Sequence, residues 1–268
     1  MSNETTLQSL ISNKVKQISY SKLEYDNLAR LSNDLRNWIK DQQVFDQSFL
    51  GGSYKRKTMV KDSSDIDVYF RYTGVGTSGA ALTALKTYLT QKYPKSQTRR
   101  DRPSVTIEFK RIPINVTPYI VDDKGNKKIP NKGLVTWYII ADDLLIAKVA
   151  ELRRDCSLLG DLIKILKYWN ATRKKPLDNY RIEEIVYASR TQYLQKSKSD
   201  IAQWMLLFFK GNGQKESAAQ WQALIDIDNT PTKQGLKTAF SRFIDNKPAA
   251  KVVTKPATNK PTPTKNKR

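Results

Sequence analysis

Histidine is absent from this 268-residue chain, and Cys156 is its one cysteine. The first absence removes the imidazole base on which Ser-His-Asp and Cys-His nucleophile systems depend. The second removes the usual Cys/His zinc site and any intramolecular disulfide, which suits a reducing compartment. No apolar run approaches the ~18 residues of a membrane span, and the opening MSNETTLQSL lacks the basic and apolar regions of a secretory signal. A cytoplasmic protein with no membrane partner is expected. Proline and glycine are both missing from residues 1 to 50, so nothing there breaks a long helix.

What is present is a substantial core and a strong positive charge. Hydrophobic residues make up 39% of the chain, with 5 Trp and 13 Tyr, enough for one large or two modest domains. Lys and Arg number 47 against 26 Asp and Glu, a net charge of +21 that attracts polyanions such as nucleic acid and nucleotides. Seven of those 21 charges lie in residues 246–268, a Pro-, Lys- and Thr-rich tail without acids, which leaves +14 for the rest. The tail has too few apolar groups to offset its chain entropy and reads as disordered.

Periodicity divides the remainder. Leu28, Leu31, Leu35, Trp38 and Ile39 recur at helical steps and predict one long helix from about Ser21 to Asp41. SFLGGSY reads as a turn, DIDVYFRY as a strand and AALTALKTYLTQKY as a helix. SVTIEF and IPINVTPYI, separated by Lys110 and Arg111, are too close for a parallel crossover and predict an antiparallel hairpin. From about Leu134 onward every periodic segment is helical. The expected class is α+β: a mixed-sheet lobe with a long N-terminal helix over residues 1–140, a helical lobe over 141–245, and the basic tail over 246–268.

The chemistry concentrates in Leu50-Gly51-Gly52-Ser53 and, eleven residues on, Asp65-Ile66-Asp67-Val68. Glycines let backbone N–H groups approach phosphate, and Ser53 adds a hydroxyl donor. Carboxylates at i and i+2 of a strand share one face and together can grip a divalent cation, Mg²⁺ or Mn²⁺. A second glycine motif, Gly74-Val75-Gly76-Thr77-Ser78-Gly79, fits a dinucleotide-binding fingerprint in form. Its strand carries two acids where a buried parallel strand should be apolar, and it is better read as a loop.

LGGSYKRKTMVKDSSDIDVYF resembles the signature of the polymerase-β-like nucleotidyltransferases: hydrophobic-Gly-Ser, about ten residues, then Asp-hydrophobic-Asp-hydrophobic. IPINVTPYI resembles that superfamily's third-carboxylate strand. LIKILKYWN and PLDNYRIEEIV are similar to the helical half of the branch containing the bacterial cyclic-dinucleotide synthases (CD-NTases), cyclic GMP-AMP synthase and the oligoadenylate synthetases. The resemblance implies a two-lobed fold in which Gly52 and Ser53 hold an NTP's triphosphate and Asp65 and Asp67 hold the metal. It also implies that Lys167 reaches the triphosphate, that Asn179 stands at a phosphate-contacting position, and that Tyr180 offers a platform for a base. The implied reaction is attack of a ribose hydroxyl on the α-phosphorus of an NTP. Repeated, it yields a cyclic di- or oligonucleotide that acts in antiphage defence through a downstream effector.

Asn115 departs from the pattern, standing where the resemblance implies a third carboxylate. An amide oxygen is a weaker metal ligand than a carboxylate and cannot serve as a base, so the metal that activates the attacking hydroxyl should suffer most. Three explanations stay open: an engineered inactive variant, a natural degenerate member, or an enzyme in which Glu108 substitutes. In a two-residue turn at Lys110-Arg111, Thr106 faces Asn115 and Glu108 is its diagonal neighbour. Two other functions remain beside cyclic-nucleotide synthesis, an RNA-tailing nucleotidyltransferase of the CCA-adding type and a non-catalytic RNA- or nucleotide-binding protein. Lys92, Lys95, Arg99, Arg100 and Arg102, with Arg153, Arg154, Lys164 and Arg173 to Lys175, form basic clusters suited to double-stranded or structured RNA.

Overall fold

The computed structural model describes residues 5–40, 44–95, 97–98, 103–109, 112–131, 133–140, 142–174, 176–196 and 200–246. The tail beyond Asn246, Arg99, Arg100, Arg102, Lys110 and Arg111, where the sequence allows a two-residue turn, and Lys175 lie outside them.

Two helices precede the sheet, α1 (Leu7–Ile18) and α2 (Lys22–Lys40). Each start is fixed by a capping box. Thr6 and Ser9 exchange bonds at α1, with Ser9 N donating to Thr6 Oγ1 at 3.1 Å. At α2, Ser21 N donates to Glu24 Oε2 at 2.6 Å and Glu24 N to Ser21 Oγ at 3.2 Å. The long helix expected from Ser21 is α2, and α1 is a separate element before it.

The sheet runs β1-β2-β5-β4-β3: β1 (Phe45–Gly51), β2 (Ile66–Tyr72), β5 (Ile112–Val121), β4 (Val105–Phe109) and β3 (Gln97–Thr98). β6 (Lys127–Pro130) pairs with β5, and β7 (Trp137–Ile139) with β6. β1 and β2 are antiparallel, β4 and β5 form the expected antiparallel hairpin, and β2 and β5 are parallel, joined through α4 (Ser78–Lys92). Alternation dictates the faces of β2. Ile66, Val68 and Phe70 are buried against α2 and α4, which turns Asp67, Tyr69 and Arg71 to the opposite face.

Of the next three segments, two differ from the sequence reading and the third agrees with it. The SFLGGSY turn is the end of β1 running directly into α3 (Gly52–Arg56), and β7 adds a strand after Leu134. The second glycine motif is, as expected, a loop, from Gly74 to Thr77, after which Ser78 and Gly79 open α4; Thr77 caps that helix, its hydroxyl accepting from Ala80 N at 3.3 Å.

The helical lobe comprises α5 (Asp142–Asp155), α6 (Ser157–Thr172), α7 (Asn179–Ala188), α8 (Arg190–Lys196), α9 (Ile201–Gly211), α10 (Lys215–Asp228) and α11 (Leu236–Ile244). Trp169, Trp204 and Trp221 are fully buried in its core, and Trp221 Nε1 donates to Ala202 O at 2.8 Å. α1, which the sequence grouped with the sheet, packs here instead: Leu7, Ile11, Val15 and Ile18 belong to the same cluster as Trp169 and Phe209. Lys14 adds a polar tie, donating to Asp245 at 2.7 Å.

Candidate active site

The end of β1 delivers Gly51 beside Asp67, its ladder partner on β2, and the chain then turns into α3. Gly52 takes φ +59°, a left-handed conformation that favours glycine. A Cβ built there would fall 1.8 Å from Asp67 Oδ2. Any side chain at this position would collide with the carboxylate, so glycine is what lets the turn and Asp67 share the space. Ser53, next on α3, is nearly buried.

Asp65 immediately precedes β2 and Asp67 lies on it. On β5, Asn115 is the register partner of Asp67, and on β4 Thr106 is the register partner of Asn115. The pairing inferred across the hairpin is therefore present. Asn115 is 1% exposed, and its amide bridges the two acids: Nδ2 lies 2.5 Å from Asp65 Oδ2 and 3.5 Å from Asp67 Oδ1. Thr106 Oγ1 donates to Asn115 Oδ1 at 2.9 Å and holds that orientation. Glu108 is exposed and has no hydrogen-bonding or ionic partner among the described residues. The group that meets both aspartates is the amide.

Two carboxylates on one face, opened by a glycine, fit one divalent cation. No cluster of three or more His, Cys, Asp or Glu suited to a metal occurs among the described residues, and of those residues Asp65 and Asp67 are the carboxylates that Asn115 bridges. Asn115 would contribute an oxygen only by turning its amide over. Thr106 permits this, because a hydroxyl accepts from an NH₂ as readily as it donates to a carbonyl.

Lys167 and Tyr180, both expected to touch nucleotide, come from the helical lobe. Lys167 is 2% exposed. Its Nζ donates to Thr58 Oγ1 at 3.1 Å and to Glu183, which is fully buried. Arg56, at the end of α3, also donates to Glu183, and Thr58 Oγ1 donates to Glu183 Oε1 at 2.6 Å. Burial pushes the Lys167 pKa down while Glu183 opposes it. Burial alone would raise the Glu183 carboxyl, but Lys167 and Arg56 outweigh it and hold the group below its ordinary range.

Tyr180 is half-buried, its ring centroid 6.0 Å from the Arg56 guanidinium carbon. Asn179 accepts from Asn170 Nδ2 at 3.1 Å, beside the paired bonds between Asn170 and Leu177. Arg56, Thr58 and Glu183 were missed in the sequence. Glu183 carried a signal, since it lies between Ile182 and Val186 on the apolar stripe of its helix, where an acid needs a partner.

Comparison with known proteins agrees with this geometry. A probable cyclic nucleotide synthase from Bacillus cereus (strain VD146) is 24% identical over 68% of this chain and 70% of its own length. A cyclic AMP-AMP-AMP synthase from an Acinetobacter species is 22% identical over 75% of this chain, which spans 63% of that relative. Among solved structures, E. coli MS115-1 CdnC in complex with HORMA-deltaN superposes with a TM-score of 0.70 at 13% identity, covering 91% of this chain and 98% of that one. Bradyrhizobium diazoefficiens CdnG in complex with GTP gives 0.58 at 11% identity, covering 90% and 88%. The model of the Second Messenger Oligonucleotide or Dinucleotide Synthetase domain matches residues 1–151, more than half of the molecule. A mixed-sheet lobe with its paired aspartates, a helical lobe closing on it and this match agree, and the chain belongs to that synthetase family, the CD-NTase branch of the polymerase-β-like nucleotidyltransferases.

Proposed function

We propose that the chain binds a nucleoside triphosphate and a divalent cation between its lobes, and that its reaction joins nucleotides into a cyclic di- or oligonucleotide second messenger. The observation that carries this reading is the fit of Gly52 against the Asp67 carboxylate, which brings a phosphate-binding turn and a metal-binding pair to one point. Gly52 and Ser53 hold the triphosphate. Asp65 and Asp67 hold Mg²⁺ or Mn²⁺, which neutralises phosphate charge and polarises the α-phosphorus when bound. A ribose hydroxyl of a second nucleotide attacks that phosphorus and pyrophosphate leaves. Tyr180, at the start of α7, gives a base a flat surface. The product serves antiphage signalling through an effector that reads it, and double-stranded RNA on the basic surface switches synthesis on.

In this chain the transfer step is weak. Asn115 cannot accept the proton of the attacking hydroxyl, and its amide already occupies the two aspartates as a donor. The same observation favours a second reading, a nucleotide- or RNA-binding protein without turnover.

Incubating the chain and its Asn115→Asp variant with labelled NTPs and Mg²⁺ or Mn²⁺, with and without duplex RNA, separates the readings. Phosphatase-resistant cyclic product from Asn115→Asp alone supports a synthase silenced at residue 115. Product from neither protein, with NTP binding intact, supports the binding protein, and product only when an RNA 3′ end is supplied identifies a tailing enzyme.

A further inference from the structure

The most heavily charged buried cluster among the described residues lies just behind the Gly52-Ser53 turn, where the lobes meet. Glu183 is 0% exposed, Thr58 0%, Lys167 2% and Arg56 7%. Two oxygens of one carboxylate serve three donors: Arg56 Nε on Oε2, and Thr58 Oγ1 with Lys167 Nζ on Oε1. Lys167 Nζ also lies 3.1 Å from Thr58 Oγ1 and 3.4 Å from Thr58 O. The Thr58 hydroxyl thus donates to Glu183 and accepts from Lys167, and both of its roles are filled.

Two features exceed what packing alone requires. First, the four residues come from three places: Arg56 and Thr58 flank the left-handed Lys57 that ends α3, Lys167 is on α6 and Glu183 on α7. α3 begins with Gly52 and Ser53, and Arg56 is one helical turn after Ser53. One carboxylate therefore anchors the far end of the phosphate-binding turn to two helices of the opposite lobe. Second, two buried cations share one carboxylate, so Arg56 and Lys167 are held at a fixed separation behind the turn. The Asp65 carboxylate contributes to the electrostatic environment of Lys167, which places the cluster within electrostatic reach of the acidic pair.

Resting on the proposed NTP-binding cleft, we propose that Glu183 is a positioning residue of the phosphate site: by binding Arg56 and Lys167 together it fixes two cations and the Gly52-Ser53 turn against the helical lobe, and so gives the cleft its preference for a polyphosphate. Without the carboxylate, two buried cations would repel each other and the turn would lose its tie to α7. Glu183 touches no substrate in this role. It acts through the residues it holds.

The test measures equilibrium binding of three probes in Mg²⁺ to the full chain: the NTP that binds most tightly, inorganic tripolyphosphate, and the nucleoside of that NTP. Glu183→Gln is the direct variant. Thr58→Val, which keeps the volume and removes the bridging hydroxyl, is the second in case Glu183→Gln does not fold. Each variant should bind NTP and tripolyphosphate at least about tenfold more weakly, with nucleoside binding within about twofold of the parent. A folded variant with unchanged tripolyphosphate binding overturns the proposal. So does an equal loss for nucleoside and tripolyphosphate, which marks general loosening of the cleft. If the parent chain binds neither NTP nor tripolyphosphate, it is the nucleotide-binding reading that fails, before any variant is compared.

Discussion

The side-chain amide of Asn115 lies 2.5 Å from Asp65 and spans toward Asp67, occupying with two N–H donors the space between carboxylates that a cation would otherwise bridge. Residue 115 therefore bears on the stability of the acidic pair and, on the proposed metal-binding reading, on the number of ions the pair can hold.

Asn115→Asp should replace a satisfied amide with a third carboxylate. In chelator the variant should lose about 1–3 kcal/mol of unfolding free energy, through lost hydrogen bonds and like-charge repulsion. Mn²⁺ should raise its midpoint more than it raises that of the parent, because a ligand that binds only the folded state stabilises it. Thermal melts with and without Mn²⁺ check both; equal metal shifts in the two proteins would contradict this account.

Gly52→Ala should be costly beyond its size. The new methyl would meet the Asp67 carboxylate at 1.8 Å, on a backbone with φ +59° that alanine adopts with strain. A loss of about 1–3 kcal/mol is expected, together with loss of Mn²⁺ and NTP binding. Isothermal titration beside a denaturant melt measures the two effects separately.

Ile11→Ala tests the placement of α1. Ile11 is 0% exposed within the helical-lobe core, so truncation should cost about 2–5 kcal/mol. Hydrogen exchange should then show lost protection in α6, α9 and α11 before the sheet is affected. Loss confined to β1 and β2 would put α1 in the wrong lobe.

Acid should weaken the clasp between α1 and α11. For Asp245, burial acts to raise the carboxyl pKa, but hydrogen bonds from Lys14 and Tyr168 outweigh it and leave it below the ordinary range. A depressed carboxyl stabilises the fold above its unfolded value, near ~4, and that contribution disappears as pH falls through the folded value. Asp245→Asn should be less stable than the parent at pH 6, and the difference should shrink below about pH 3. Urea melts across that window measure the convergence.

Duplex RNA should bind in a salt-dependent way set by the +21 charge, with log K falling linearly in log salt. Removing residues 247–268, which carry seven of those positive charges, should make the slope shallower. Binding that is absent, or indifferent to salt, would remove RNA from the proposal.

The strongest local rules made the catalytic half of the sheet legible. Ile66, Val68 and Phe70 alternate without interruption, so the faces of β2, and with them Asp67, follow from period alone. The Thr106–Asn115 pairing follows once a two-residue connection is assumed, but Lys-Arg is poor chemistry for such a turn and leaves the register open in the sequence; the ladder is what selects it. β1 was hidden because its burial does not alternate and its end coincides with the glycines that signal a turn. β6 and β7 are four and three residues long, too short to show a period. The packing of α1 depends on contacts with α6, α9 and α11, which no window of sequence contains. Glu183 and Arg56 are 127 residues apart, and only the meeting of the lobes makes them partners.

Because α1 joins the helices that follow residue 141, the polypeptide passes between the lobes twice, once after Ile18 and once after Ile140. The first passage is pinned: Lys61 N donates to Ile18 O at 2.8 Å, and the Lys61 side chain pairs with Glu24 at 2.8 Å. Mechanically this is a door hung at two points. Two attachments define an axis: any relative movement of the lobes is confined to rotation about the line that joins them, with twisting and shear resisted. A single linker would have left the two halves free to meet at many angles; two crossings hold them to far fewer.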